Sequence, residues 1–549
     1  MRLALMLGVS SAGVLAAAPA ATSAGEPVAI GRDGRLHYQA DGFGNVVPDF
    51  SLAGYQHGGV PLPESPVVAQ LAAASGSEDD SARIQAAINQ VAAAPENPAT
   101  GSRGAVLLGK GLYRCARTLV MPAGVTLRGE GQDAGTGTVI IATMVPPAGS
   151  ETKPTLIHLT GKGALKTAGP AHAVLDEQVP VGRHVLTVAD AAAFKAGDTV
   201  MLERSPNAAW IHDLKMDQIK LGAGGHQWTP AEYVLRWQSR ITAVKGNALL
   251  LDTPVPFALE RSYGGAAVYA CAADTRGRAA AVENLRLESV YAKGRQNDDE
   301  RHAWNAIVID HLVDSWVRNV TAVHFAYSCV SVAQDAARIT VQDCAMIDPV
   351  SSITGGRRYS FVGGGQYVLF QRCYTRNGRH DFVTGHANIG PTVFLDCLAE
   401  QTHADIGPHH RWSCCQLYDN VQGGMINVQD RGGSGTGHGW AGNAQVLWNC
   451  TAISLLCQKP WLPSAQNWAI GCTGADGKPS LAGRLSGVWA SRNAPVAPRS
   501  LYLAQLAQRI ERAGGNGGAA IRAVTTLEQR QGSCWPQLQQ RYANEPAYP

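Results

Sequence analysis

Residues 379–412 read "RHDFVTGHANIGPTVFLDCLAEQTHADIGPHHRW". This stretch holds five of the sixteen histidines in the chain, His380, His386, His403, His409 and His410, together with Arg379, Arg411, Asp381 and Asp405. Imidazole is the side chain whose unperturbed pKa suits proton transfer near neutrality. A guanidinium presents a planar fork that matches a carboxylate. The combination therefore points to acid–base chemistry on an anionic substrate. Further polar clusters lie on either side, "TGGRRYSF" with Arg357, Arg358 and Tyr359, and "NVQDRGGSGTGHGWAGN" with Asp430, Arg431 and His438. Inside the first stretch sits "TVFLDC", an apolar run of the kind that fills a buried strand. The titratable groups are thus grouped around strands, and the strands must be arranged to bring them together.

That arrangement is a repeat. Segments that alternate apolar and polar residues recur around Asn319, Cys344, Cys373, Cys397, Asn420, Cys450 and Cys472, at steps of 22–30 residues, each giving way to Gly, Asn, Asp or Pro. A strand recurring at a period in the twenties without helical pattern is the mark of a β-solenoid. The chain is expected to be all-β, a right-handed parallel β-helix. Cys344, Cys373, Cys397 and Cys450 would form one inward ladder, with Asn420 filling the place between the last two. Most of the twelve cysteines read as buried thiols acting as small hydrophobes, because they lack the paired spacing of a zinc site.

The front of the chain fits the same plan. "DDSARIQAAINQVAAA" (residues 79–94) places Ile84, Ala87, Ile88 and Val91 on one helical face. "RGAVLLGKGLYRCARTLVMPAGVTLRGEG" follows, with strands broken at Gly and Pro. This combination resembles the start of the pectate-lyase-like superfamily, where a capping helix precedes a "GAVxLPxGxYxxxxxLxxPxGVxLxGxG" pattern; Leu108, Gly109, Lys110 and Gly111 depart from it slightly. The resemblance covers about residues 40–475 and implies the β-helix fold and a polysaccharide substrate, though fold does not dictate chemistry. "GHG" at residues 437–439 is also similar to a motif of β-helix polygalacturonases, but the paired aspartates those enzymes carry upstream are missing at the matching place. Residues 170–260 break the period and carry a hairpin signal at Gly246 and Asn247, so they read as an inserted β subdomain. The expected division is a leader peptide over 1–24, a cap and first coils over 25–169, the insertion over 170–260, the main coils over 261–480, and a tail over 481–549 with an amphipathic helix at 499–513.

The step of 24 residues from Cys373 to Cys397 sets a register. It should stack Asp381 on Asp405 and His386 on His410, about 4.8 Å apart on neighbouring coils. On this reading His380, Asp381, His410, Arg411, Arg431 and His438 are the catalytic candidates. Arg358, Tyr359, Arg379, His409, Trp412, Asp430 and Trp440 are the substrate-binding candidates, the aromatics by stacking on sugar rings. Asp381 and Asp405 offer hard oxygens that suit calcium. Zinc on His409 and His410 is disfavoured, since adjacent strand residues point to opposite faces. The bland alternative is that Asn, Asp and Gly here only satisfy the hydrogen bonds of β-helix turns.

Composition bounds the function. Charged residues make up 16%, the net charge is +3 and basic residues are not bunched, which disfavours nucleic acid as a partner. "MRLALMLGVSSAGVLAAAPAATSAGEP" reads as a secretory signal, and no later run reaches membrane-spanning length, so a periplasmic or extracellular location is expected. The expected function is a lyase that cleaves a uronic-acid polysaccharide by β-elimination, with no cofactor beyond the calcium reading. Lysine is absent between Lys293 and Lys459, so the base would be His or Arg. A glycoside hydrolase using paired aspartates, and a non-catalytic carbohydrate-binding solenoid, are the alternatives.

Overall fold

A computed structural model describes residues 25–76, 78–525, 529 and 532–546. The expected leader peptide lies outside the described residues. The chain winds into a right-handed parallel β-helix. Its strands fall into a 22-stranded assembly and a separate seven-stranded sheet, and most rungs pair in parallel with the equivalent strand of the next coil. The step between equivalent residues is 24 from Val317 to Val341, 29 from Val341 to Phe370 and 24 from Phe370 to Phe394.

Each coil turns at one recurrent place, and the sequence shows why. Asn284, Asn319, Asp343, Arg372, Asp396, Asn420 and Asn449 all adopt positive φ between 50° and 55°. Asn and Asp tolerate this left-handed conformation better than other side chains with a Cβ. The residue that follows each of them points into the core: Leu285, Val320, Cys344, Cys373, Cys397, Val421 and Cys450 are all completely buried. The expected inward ladder is therefore present for the four cysteines, but Asn420 is not part of it. Val421 fills that place, and Asn420 belongs to the turn ladder, where its side chain bonds to Asp419 and to the carbonyl of Arg499. All twelve cysteines are free thiols.

The helix Ser81–Ala92 closes the first coils with Ile84, Ala87, Ile88 and Val91 buried in the main core. An apolar helix face is what an open coil end needs, since the end strands have no neighbour to cover them. Residues 167–271 leave the solenoid. Five strands there, Thr167–Ala173, Thr199–Arg204, Leu235–Lys245, Ala248–Leu251 and Ala266–Cys271, join Val185–Thr187 in an antiparallel sheet. The turn at Gly246 and Asn247 joins Lys245 directly to its partner Ala248. This sheet has its own core, which includes Trp210, Trp228, Tyr233 and Trp237 and reaches Trp412 and Trp440 of the main coils. The helix Leu501–Arg512 packs through Leu501, Tyr502, Leu503 and Leu506 against another face of the solenoid. Among the described residues no helix is long and apolar enough to cross a membrane.

Candidate active site

The seven-stranded sheet carries the site on one outer edge. Tyr359 lies two residues before the strand Phe361–Gly363, and His380 lies two residues before Phe382–Thr384. Phe361 pairs with Phe382, so Tyr359 and His380 are rung neighbours, and their rings meet edge to face at 5.0 Å. Asp405 precedes the last strand of this sheet, Gly407–Pro408. The chain then delivers His409 and His410 and turns sharply, with Arg411 and Trp412 both at positive φ.

The turn brings four imidazole rings together. His380 lies 4.2 Å from His409, His409 lies 5.1 Å from His410 and 4.9 Å from His438, and His410 lies 4.8 Å from His438, all between ring centroids. The hydroxyl of Tyr359 and Nε2 of His409 share a hydrogen bond of 2.8 Å. Nδ1 of His380 donates to the backbone carbonyl of Asp405 at 2.7 Å and lies 3.1 Å from its Oδ1. The other oxygen, Oδ2, accepts from Arg431 Nη1 at 2.7 Å. Nε2 of His380 and Nδ1 of His409, His410 and His438 are buried without a partner among the described residues. Buried polar atoms are seldom left unpaired unless a ligand or water completes them.

Burial controls the protonation of this cluster. It holds His409 far below the ordinary imidazole range, with the charges of His380 and Arg431 adding to the effect. It takes His410 down to about 4 and His438 to about 3, helped by neighbouring arginines and histidines. His380 is also lowered by burial, against the opposing pull of Asp405. Asp405 itself is strongly lowered: the hydrogen bond from His380 and the charge of Arg431 outweigh its burial. Tyr359 is raised by burial and keeps its proton at neutral pH. The site thus combines neutral imidazoles, a protonated phenol, one ionised carboxylate and arginines.

Several expected site residues lie elsewhere. Asp381 shares the register of Asp405 but is fully buried, and its Oδ1 accepts from Ser360 at 2.8 Å and Thr375 at 2.7 Å. Its rung neighbour on the preceding coil, Ser360, supplies a hydroxyl inside the coil, and that draws the carboxyl inward. Asp381 and Asp405 therefore share no partner, and the calcium pair is corrected; among the described residues no group of three or more His, Cys, Asp or Glu is placed to hold a metal ion. Asp430 is buried in an ion pair with Arg484 at 2.7 Å and caps the amide of Gly432. Arg358 is buried and donates to the carbonyls of Ser351 and Gln296, so it ties loops together. Trp412 and Trp440 are core residues, Trp412 packing edge-on against Trp210 at 4.9 Å, and neither offers a face to a sugar. His386 packs against Tyr233 of the inserted sheet at 5.5 Å. Arg379 lies over Tyr359 at 6.0 Å, and Arg411 reaches across to the carbonyl of Thr436 at 2.8 Å.

Two features escaped the reading of the sequence. Tyr327 stacks on Tyr359 at 5.1 Å, and Trp304 stacks on Tyr327 at 6.2 Å, extending the edge by two coils. Their signal was an aromatic at the same distance ahead of successive strands, visible only once Asn305 is aligned with Ser328. The second is the role of Asp405 as the partner of His380.

Asp381 has its own consequence. Burial raises its pKa to about 6 from the usual 3.8, so the folded state prefers the protonated form. The sign follows directly: between pH 3.8 and about 6 the folded chain binds more protons at this group than the unfolded chain, and stability falls as pH rises. Asp381→Asn is expected to abolish this fall, read as melting temperature against pH.

The fold and site define a parallel β-helix protein with a histidine-rich cluster on one sheet edge. No protein-family model matches the chain, and no curated protein matches it. Among solved structures it is similar to the A-module of the mannuronan C-5 epimerase AlgE6 from Azotobacter vinelandii, at 12% identity and TM-score 0.35 over 76% of each chain. It is similar to the tailspike protein gp49 from Pseudomonas phage LKA1, at 13% identity and TM-score 0.30 over 76% of this chain and 72% of that one. It is also similar to a pectin methylesterase in complex with a hexasaccharide, at 10% identity and TM-score 0.32 over 77% of this chain and 93% of that one.

Proposed function

We propose that the protein is an exported enzyme that cleaves a uronic-acid polysaccharide by β-elimination. The observation that carries this reading is the contiguous set of four imidazoles beside Tyr359, Arg379, Arg411 and Arg431. Elimination needs a base for the proton at C5, an acid for the leaving oxygen and a cation for the carboxylate, all around one sugar. His410, the less buried of the two adjacent imidazoles at the turn, is assigned as the base. Tyr359, held by His409, stays protonated and is assigned as the acid. Arg431 and Arg411 each keep a buried Nε without a partner among the described residues, so their guanidiniums have donors left for the uronate.

A glycosidase needs two carboxyl groups across the bond. Here Asp381 is inside the coil and Asp430 is paired with Arg484, so among the described residues Asp405 is the one carboxylate within the cluster. This favours elimination over hydrolysis. Incubation with a panel of acidic and neutral polysaccharides separates the readings. Ultraviolet absorbance of an unsaturated product together with new reducing ends is the expected result. Reducing ends without absorbance would replace the lyase by a hydrolase, and binding without either would leave a carbohydrate-binding solenoid.

The protonation of the cluster sets the pH dependence. A base must be neutral, and His410 stays neutral until the pH falls to about 4. The acid limb of kcat/KM is expected near pH 4 and not at the 6.5 of free imidazole. A limb at ordinary imidazole pH would show that the group in use is more exposed than His410.

A further inference from the structure

The cluster sits at one end of the seven-stranded sheet. Down the outer face of that sheet runs a single register of residues: Val120, His158, Val308, Ser331, Val362 and Val383. Val120 is 42% exposed and Val383 only 1%, so exposure along this lane falls from the first coils towards the cluster. One side of the lane is the stack Trp304–Tyr327–Tyr359. Cations accompany it: Lys153 lies 4.7 Å from the ring of Trp304, Arg357 lies 6.0 Å from the same ring, and Arg379 lies over Tyr359. Arg357 is paired with Glu300 at 2.6 Å, which leaves Lys153 and Arg379 as the surplus positive charge on this side.

At the other end the lane has no continuation. Gly407–Pro408 is the last strand of the sheet. The next coil places a loop there, residues 430–440, closed at its base by the pairing of Asp430 with Trp440. The segment between the inserted strands Thr199–Arg204 and Leu235–Lys245 clamps this loop from outside. Trp228 Nε1 donates to the carbonyl of Gly437 at 3.0 Å, and Arg411 holds Thr436 from the solenoid side. The glycines of "RGGSGTGHG" make the clamp possible. A Cβ on Gly433 would come within 2.0 Å of the carbonyl oxygen of Lys220, and one on Gly439 within 2.4 Å of the sulfur of Met216. The same loop supplies Arg431 and His438 to the cluster, so the wall that ends the lane is also part of the site.

We infer that the cluster lies at the blind end of a one-sided binding lane, and that an acidic glycan enters over the N-terminal coils and is cut from its chain end. The inference rests on the elimination reading above. The coils rise about 4.8 Å each, which matches the length of a sugar unit closely enough for successive residues to meet successive rungs. Lys153 and Arg379 then face carboxylates of the chain beyond the scissile bond. With the far side walled by residues 430–440, only the terminal portion of the glycan fits past the base.

The experiment follows products from the first turnovers on a long, uniform polyuronate that the protein cleaves, by chromatography with viscosity in parallel. A single short unsaturated product from the outset, with viscosity falling slowly, is expected. Gly433→Val should push the loop off Lys220 and replace that product by a spread of longer ones. Trp228→Phe, which keeps an aromatic ring but loses the bond to Gly437, provides the same test if the first variant does not fold. Lys153→Ala should raise KM for a long oligosaccharide by about 2- to 5-fold, as loss of one exposed charge contact does. Unsaturated products of random length with an early collapse in viscosity would overturn the blind end and leave the elimination reading intact. Absence of unsaturated product from every uronate would overturn both.

Discussion

Replacing His410 by alanine is expected to lower turnover by about 10²-fold or more while leaving the melting temperature nearly unchanged. The size follows from the role: a general base contributes about 10²–10⁴ to the rate. The small structural cost follows from the surroundings. His410 is half-buried, and its Nδ1 has no partner among the described residues. The backbone turn at Arg411 and Trp412 is held by the amides of those two residues bonding to the carbonyls of His438 and Trp440, which alanine at 410 leaves in place. A purely structural role for His410 predicts the reverse pattern, a lower melting temperature with activity reduced only in proportion to the folded fraction. Steady-state kinetics and a thermal scan on the same preparation decide between them.

Asp405→Asn should do damage of both kinds. The carboxylate holds Arg431 at 2.7 Å and orients His380 through its Nδ1. Both partners are largely buried, so an amide would leave a guanidinium without its counter-charge. Removing one member of a buried pair costs about 3–5 kcal/mol. Part of that loss depends on pH in a defined direction. The pKa of Asp405 is held well below its usual 3.8, so its stabilising effect is complete above that value and disappears as the pH falls below it. The variant should therefore be less stable than the parent at neutral pH and converge towards it in acid. Turnover should fall by about 10²-fold or more, because Arg431 loses its position and His380 loses the carboxylate beside it. A variant with parental stability and activity at pH 7 would remove Asp405 from the site.

Much of this architecture is legible in one dimension. The parallel coil follows from the recurrence of strands around Cys344, Cys373, Cys397 and Cys450, because a solenoid repeats its local environment at a fixed step. The 24-residue register that aligns Thr384 with Pro408 was visible in the spacing of two cysteines. What spacing alone misjudged is a matter of one residue or one side-chain rotation. Asn420 stands where cysteines recur, yet an asparagine there serves the left-handed turn, and Val421 takes the core.

The site itself was partly legible. His380, His409, His410, Arg431 and His438 come together, as their density in neighbouring repeats suggests. Residue type and repeat position by themselves determined the coil, its register and the chemical character of one edge. Only the tertiary structure decided which groups face that edge. Asp381 and Asp405 occupy equivalent rungs, but Ser360 and Thr375 draw the first inward while His380 and Arg431 hold the second outside. His409 and His410 share one cluster because the strand ends at Pro408 and the alternation of side chains ends with it. Trp412 and Trp440 are closed off by Trp210 and its neighbours, some two hundred residues away in the chain. Local periodicity encodes the backbone path, whereas the direction of each polar side chain is set by the donors and acceptors that distant segments bring to it.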